Sequence, residues 1–363
     1  MKRNRWTIAP AAILRTGSTA IACAVAACTS AQWSAVILHP AGATRSDAYG
    51  VGGGQEVGSV QMGPYRASLW SGTAASWVDL TPTGSNGSEG HAASGGQQVG
   101  DASFGSSIRA SLWSGTAASW VNLDPASSTG SYAFAVGGGQ QAGQAQVGGV
   151  VRASLWSGTA ASWVDLSPAG ASSSVANGVS GGQQVGLVTL GGVGHASLWS
   201  GTAASWVDLH PAGSVYSIAN GVGGGQQVGY SYVAGFRHAF LWSGTSTSWV
   251  DLSPAGGANS EAYGVSGGVQ VGYANVGNAD RASLWSGTAA SWVDLSAYLP
   301  ASFTSSYANG VWRDASGVTY VAGAGNNGSL REALLWTSSP VPEPATLAIL
   351  GLGAAAVLRR RRR

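Results

Sequence analysis

Tryptophans in pairs, and a recurring couple of opposite charges, are the side chains whose spacing suggests chemistry. Trp70, Trp113, Trp156, Trp199, Trp242 and Trp285 are each followed seven residues later by a second Trp: Trp77, Trp120, Trp163, Trp206, Trp249 and Trp292. Aromatic faces stack on sugars, so the array invites a carbohydrate-binding reading. Hairpin register argues for packing instead. With Thr73-Ala74 as the turn, Trp70 stands opposite Trp77 on one face, and Leu69 and Val78 occupy the other. Such a pair adds about 0.5–1.5 kcal/mol beyond burial, and its repetition reads as a core rule. One phase of the period carries Arg66, Arg109, Arg152, His195, His238 and Arg281; another carries Asp79, Asn122, Asp165, Asp208, Asp251 and Asp294. On the same register the two phases lie diagonally across the hairpin. That predicts a repeated ion pair rather than a ring of cation ligands, since isolated single Asp residues make poor Ca²⁺ sites.

Nothing in the sequence groups into a catalytic centre, so the chain is expected not to be an enzyme and to need no cofactor or metal. His39, His91, His195, His210 and His238 fall in different phases, with no nucleophile or carboxylate cluster around them. Both cysteines, Cys23 and Cys28, lie at the N-terminus, so the body has no thiol nucleophile and no disulfide. The Gly-Gly-Gln-Gln-Val-Gly segments precede strands rather than helices and so do not cradle phosphate. An enzyme would break the symmetry of its repeats to build one site, and the last repeat is the asymmetric one. Its interval is 51 residues rather than 43, with extra sequence around Ala297-Tyr-Leu-Pro300 and Trp312-Arg-Asp314. Trp312 is the candidate glycan contact there.

The elements that must position these residues are short strands. Every earlier interval between first tryptophans is 43 residues, and such self-similarity decides the architecture before anything else. One period contains four strand-like runs punctuated by Gly-Gly and Gly-Thr-Ala-Ala turns, with no helical periodicity. Four strands in that length is the size of a β-propeller blade. The last unit ends at Leu334-Leu335-Trp336 without a fourth strand, while a surplus degenerate copy, Trp33-Ser-Ala-Val-Ile-Leu38, stands at the N-terminus. The phase therefore predicts an all-β, seven-bladed propeller over 32–338, closed by pairing the two ends so that no sheet edge is left open. An open β-solenoid is the alternative; it would need terminal caps, and none is found.

Composition agrees. Gly reaches 57 residues without a collagen period, 44% of the chain is hydrophobic and only 9% charged, against collagen, disorder and helical bundles. Most of the positive charge sits at the two ends. Between them lie eight Arg against 15 acids, so the body is acidic and lacks a nucleic-acid footprint. Residues 1–31 have the layout of a secretory signal, basic at Lys2, Arg3 and Arg5, then small and apolar, with cleavage after Ala31. A lipobox-like Val25-Ala-Ala-Cys28 leaves lipidation of Cys28 as the rival. The C-terminus reads Val341-Pro342-Glu343-Pro344, then an apolar stretch from Ala345 to Leu358, then Arg359, Arg360, Arg361, Arg362 and Arg363. That stretch spans about 21 Å as helix, short of a hydrocarbon core of about 30 Å. The arginines would stay cytoplasmic, with the body outside.

The segment 339–363 resembles the PEP-CTERM sorting signal. The resemblance implies export by a Gram-negative bacterium, recognition by an exosortase-type enzyme and cleavage near Pro-Glu-Pro. The body resembles HAF-type bacterial extracellular repeats, complete at Gly235-Phe-Arg-His-Ala-Phe-Leu-Trp-Ser-Gly244, with Arg-Ala-Ser or His-Ala-Ser in other copies. That resemblance implies an exported repeat protein without a defined activity.

The expected function is thus a monomeric, non-enzymatic component of the cell envelope or extracellular polymer matrix, structural or adhesive, first held in the inner membrane by its C-terminal helix. The alternatives are a propeller that binds exopolysaccharide through exposed Trp or its axial channel, and an enzyme sited in the irregular last blade. Replacing Arg359–Arg363 by Ser should leave translocation intact and impair C-terminal processing. Mass spectrometry of the mature protein decides it, and unchanged processing would sink this reading of the tail.

Overall fold

A computed structural model describes residues 32–338; the leader and the sorting tail lie outside them. Each period folds as its alternation and turn residues dictate. In the first complete unit the strands are Arg45–Gly52, Gln55–Gln61, Tyr65–Trp70 and Val78–Asp79. Gly53 and Gly54 join the first two with φ of 63° and 79°, the left-handed pair that a tight hairpin turn requires and side chains resist. The third and fourth strands keep the expected register, Leu69 opposite Val78 and Ser68 opposite Asp79. Their connection corrects the sequence reading. A 3₁₀ turn at Ala74–Ser76 replaces the two-residue turn. The Ser76 hydroxyl donates to the Thr73 carbonyl at 2.6 Å and accepts from the Ser71 amide at 2.8 Å, a side-chain network that holds the longer corner.

The strands form five four-stranded sheets and one eight-stranded sheet. The larger sheet consists of the first unit joined to the last, Phe303–Arg313, Thr319–Asn327 and Leu330–Ser338, through the single parallel bridge Arg45–Arg331. Trp33–Ile37 pairs antiparallel with Leu330–Ser338, setting Val36 opposite Leu335. The strand absent from the C-terminal unit is supplied by the N-terminal one, as the repeat phase requires. The first strands of successive units pack on one another, and Phe303–Arg313 packs in turn on Arg45–Gly52. Asn309 seals that junction, its Nδ2 donating to the Ala48 carbonyl at 2.9 Å. Small residues make the approach possible: a Cβ on Gly310 would meet the Tyr49 carbonyl at 2.8 Å.

The core lies between units, not within them. Trp113 is fully buried against Leu69 and Leu80 of the preceding unit, Trp156 against Leu112 and Leu123, and Trp199 against Leu155 and Leu166. At the junction of the termini Trp70 packs with Leu38 and Leu335. The expected ring contact between the two tryptophans of one repeat does not form; no aromatic pair among the described residues joins them. Instead the half-buried Trp77 donates from its indole to Ser68 Oγ at 2.9 Å, while Trp70 faces the neighbouring unit.

The irregular last repeat has a packing role. Six buried indoles, from Trp70 to Trp285, have no hydrogen-bond partner for Nε1. Trp336 alone among these first tryptophans donates, to the Leu295 carbonyl at 3.0 Å. The other Leu corners run into a proline two residues on, as in Leu80-Thr-Pro82, which holds the intervening residue extended. After Leu295 the inserted residues form a 3₁₀ turn, Leu295–Tyr298, and the carbonyl reaches the indole.

Two measurements test the closure. The double variant Val36→Cys/Leu335→Cys should crosslink within one chain on oxidation. A chain beginning at Ala43 should melt well below one spanning 32–338 and oligomerise through its bared edge, whereas Leu38→Ala should cost about 2–5 kcal/mol in denaturant unfolding. Equal melting of the long and short chains would remove the closing strand from the fold.

Candidate functional site

Each first strand carries a β-bulge at the same phase. Pairing breaks between Ala48 and Gly50, Gly90 and Ala92, Ala133 and Ala135, Ala176 and Gly178, Ala219 and Gly221, Ala262 and Gly264, and Ala308 and Gly310. The residue skipped at each break is Tyr49, His91, Phe134, Asn177, Asn220, Tyr263 or Asn309. A bulge re-aims a side chain out of the ladder, and these line a common channel. They form the waist between two adjoining chambers of about 450 and 220 Å³, the larger also bordered by Tyr307 and Arg331.

Three amides at the waist are held in fixed orientation. Asn177 and Asn220 donate from Nδ2 to the carbonyls of Ala219 and Ala262, at 3.1 and 3.0 Å, as Asn309 does to Ala48. Their Oδ1 atoms have no partner among the described residues, so each amide keeps an acceptor and one N–H for the channel. Burial pushes the Tyr49 hydroxyl up to about 12 and raises that of Tyr263 further, so both remain neutral donors. Tyr307 is also raised to about 12, first by burial and then by donating to Asp280. Phe134 adds an apolar face, edge-on to His91 at 5.5 Å.

The repeats differ where they line this channel. Outside it the units share Leu-Trp-Ser-Gly and Trp-Val-Asp-Leu almost unchanged; at the bulge the residue is Tyr, His, Phe or Asn. The sequence reading looked for asymmetry only in the last repeat and missed this ring. The signal was present, but it is one of several variable positions per period and its direction depends on a bulge. Trp312 lies elsewhere: it stacks on Tyr320 at 5.2 Å and packs on the core beneath the joined termini, outside the channel lining.

Other motifs resolve into supports. The diagonal pairs form as expected: Arg152–Asp165 at 2.8 Å, His195–Asp208 at 2.8 Å, His238–Asp251 at 2.7 Å and Arg281–Asp294 at 3.1 Å, with Arg66–Asp79 likewise. Where Asn122 stands for Asp, Arg109 lies over the Phe104 ring instead. In five of the glycine-rich segments a Gln is a clamp: Gln98 Oε1 accepts from the Gly115 amide at 2.7 Å, and its Nε2 donates to the Gly96 carbonyl, as Gln141, Gln184, Gln227 and Gln270 do at their phases. One expectation about histidine fails. His91 does meet carboxylates, with Nε2 at 2.8 Å from Asp101 and Glu89 directly across the strand pair. Their phases differ by strand, so only the sheet brings them together. Among the described residues no cluster of His, Cys, Asp and Glu has metal-binding geometry, and no helix is long and apolar enough to cross a membrane.

Comparison with known proteins supports these findings at two levels. Residues 340–363 match the PEP-CTERM protein-sorting motif, which implies an exported protein processed by an exosortase. No curated protein sequence matches the chain. Among solved structures, puromycin hydrolase superposes with a TM-score of 0.56 at 12% identity, over 86% of this chain and 58% of that one. Its S511A mutant complexed with PGG gives 0.53 at 13%, over 77% and 50%. The β-propeller domain of the Trilobed protease from Pyrococcus furiosus gives 0.49 at 8%, over 83% and 100%. The chain thus spans about half the length of the hydrolases it resembles, and the likeness is one of fold; the all-β, propeller-type architecture follows from the successive four-stranded sheets themselves.

One pair in the outer hairpins generates a pH dependence. His195 and His210 stack at 4.1 Å; burial, then His195, lowers the His210 pKa. A histidine depressed in the folded state lets the unfolded chain take up its proton first. Its stability contribution is complete above the unfolded value of about 6.5 and declines as pH falls through it. His210→Ser, matching Ser167 and Ser253 at this phase, should therefore gain melting temperature relative to wild type between pH 8 and pH 5. A difference between the two proteins that does not change with pH would refute the assignment.

Proposed function

We propose that this protein is an exported, non-enzymatic, closed seven-bladed β-propeller of the cell envelope or extracellular matrix, binding a glycan segment in its axial channel. The observation that carries the reading is the set of side chains at the bulge positions, Tyr, His, Phe or Asn, on blades whose outer hairpins are near-identical. A purely structural ring has no need of anchored amides, phenols and an aromatic face together at its axis. A site for one asymmetric ligand does.

The chemistry of the ring suits a polyhydroxylated ligand. A sugar hydroxyl both donates and accepts, and a primary amide offers both functions side by side. Asn177 and Asn220 present adjacent anchored amides, Tyr49 and Tyr263 neutral hydroxyls, and Phe134 a face for the C–H side of a pyranose. A non-enzymatic role is favoured because the inserted residues of the last blade are engaged in packing, and among the described residues neither a Ser, Thr, Cys or Lys nor a carboxylate lines the channel. Before processing, the apolar stretch Ala345–Leu358 would hold the protein in the inner membrane.

Isothermal titration with oligosaccharides from the producer's own exopolysaccharide tests the reading. Saturable binding is expected, weakened tenfold or more in Asn177→Ala/Asn220→Ala, since a lost pair of hydrogen bonds is worth about 1–2 kcal/mol. Trp312→Ala should leave the affinity within about twofold, and no new reducing ends should form. Binding that survives the asparagine changes but disappears with Trp312 would move the site to the last blade; steady release of reducing ends would make the protein an enzyme.

A further inference from the structure

The cleft between the first two units contains two acids for which the molecule supplies no full counter-charge. Glu89 and Asp101 stand directly opposite one another across the strands Gly87–Ser94 and Gln97–Phe104, an arrangement of like charges that destabilises a sheet. His91 reaches Asp101. No ion pair or side-chain hydrogen bond among the described residues reaches Glu89, and Arg45, the nearest arginine acting on it, is engaged with Asp47. Burial, and then Asp101, raise the Glu89 carboxyl above its usual range.

Equivalent clefts show how this fold neutralises an acid at that position. Glu261 occupies the phase of Glu89 and receives Arg237 from the preceding unit, Nη1 to Oε1 at 2.6 Å. Tyr273, at the phase of Asp101, donates to the same carboxylate at 3.1 Å. Asp47 receives Arg331 from the preceding unit in the same way. In the Glu89 cleft the residue at the arginine phase is Tyr65. A cavity of about 270 Å³ lies there, bordered by Tyr65, Asn86, Glu89, Asp101 and Ser103. Two neighbouring repeats thus fill this place with a guanidinium, and here the acids, the opening and an aromatic ring remain.

We propose that this cleft binds a guanidinium-bearing ligand, which takes the place that Arg237 and Arg331 occupy in the other clefts. The two carboxylates accept its planar N–H donors, and the Tyr65 ring borders the cation. The site is separate from the axial channel and does not depend on the glycan reading.

Titration calorimetry of the mature protein with agmatine and with the peptide Gly-Arg-Gly tests it. Saturable one-to-one binding of either supports the site, and a tenfold preference identifies a free small molecule or a peptide side chain as the source. Glu89→Gln and Asp101→Asn should each weaken binding at least tenfold without lowering the melting temperature. Tyr65→Arg should abolish binding and raise the melting temperature, because the chain then supplies its own guanidinium. If that variant does not fold, Glu89→Gln remains the deciding measurement. Absence of binding by the folded protein overturns the proposal, as does binding of Ca²⁺ in place of agmatine, or agmatine binding unaffected by Glu89→Gln.

Discussion

Each unit of this protein is completed by its neighbour. The fully buried tryptophan of one repeat lies on the two leucines of the repeat before it, and aromatic side chains of this size dominate the burial of such a core. A single four-stranded sheet has nothing to cover that face. The constraint passes from repeat to repeat and ends only when the first tryptophan, Trp70, finds leucines of its own. Leu38 and Leu335 provide them, which is why the N-terminal strand returns to the C-terminal unit across almost the whole described chain.

That return fixes what the axis is made of. The inner strands approach closely enough that small residues follow most bulges, and the bulged residue is turned out of the ladder toward the common channel. Outer hairpins are then free to be uniform: their charge pairs, indole–serine bonds and glutamine clamps recur because each solves the same local problem. The axis has no such uniform problem. Its residues meet at the waist, where four residue types combine anchored amides with neutral phenols and an aromatic face.

The clefts between units are uneven for a related reason. Acids on the inner strands sit in clefts whose opposite wall belongs to the previous unit, so their neutralisation depends on what that unit offers. Glu261 and Asp47 receive arginines. Glu89 receives a tyrosine and an opening. At the junctions in between, Val175 and Ile218 take the acid's phase and Gly194 admits the ring of Tyr216. The clefts are therefore charged at some junctions and apolar at others, although the outer hairpins beside them are nearly the same.

The strand content, the repeat length, the sorting motif and the phase that demands closure were all legible in the sequence, because each is a local pattern repeated or a composition that stands out. The diagonal ion pairs were legible too, since hairpin register alone places Arg152 near Asp165. Trp70 was read correctly as core packed between blades, but the ring contact expected with Trp77 across the hairpin does not form: register identifies the facing residue and cannot identify which side chains of the next unit cover it. The channel ring and the Glu89 cleft were decided by tertiary structure alone. A bulge moves one side chain per strand to a new direction, and ring closure brings together positions 42 to 46 residues apart along the chain. Neither leaves a mark in local periodicity, because the directions converge only when every unit has been packed on the next.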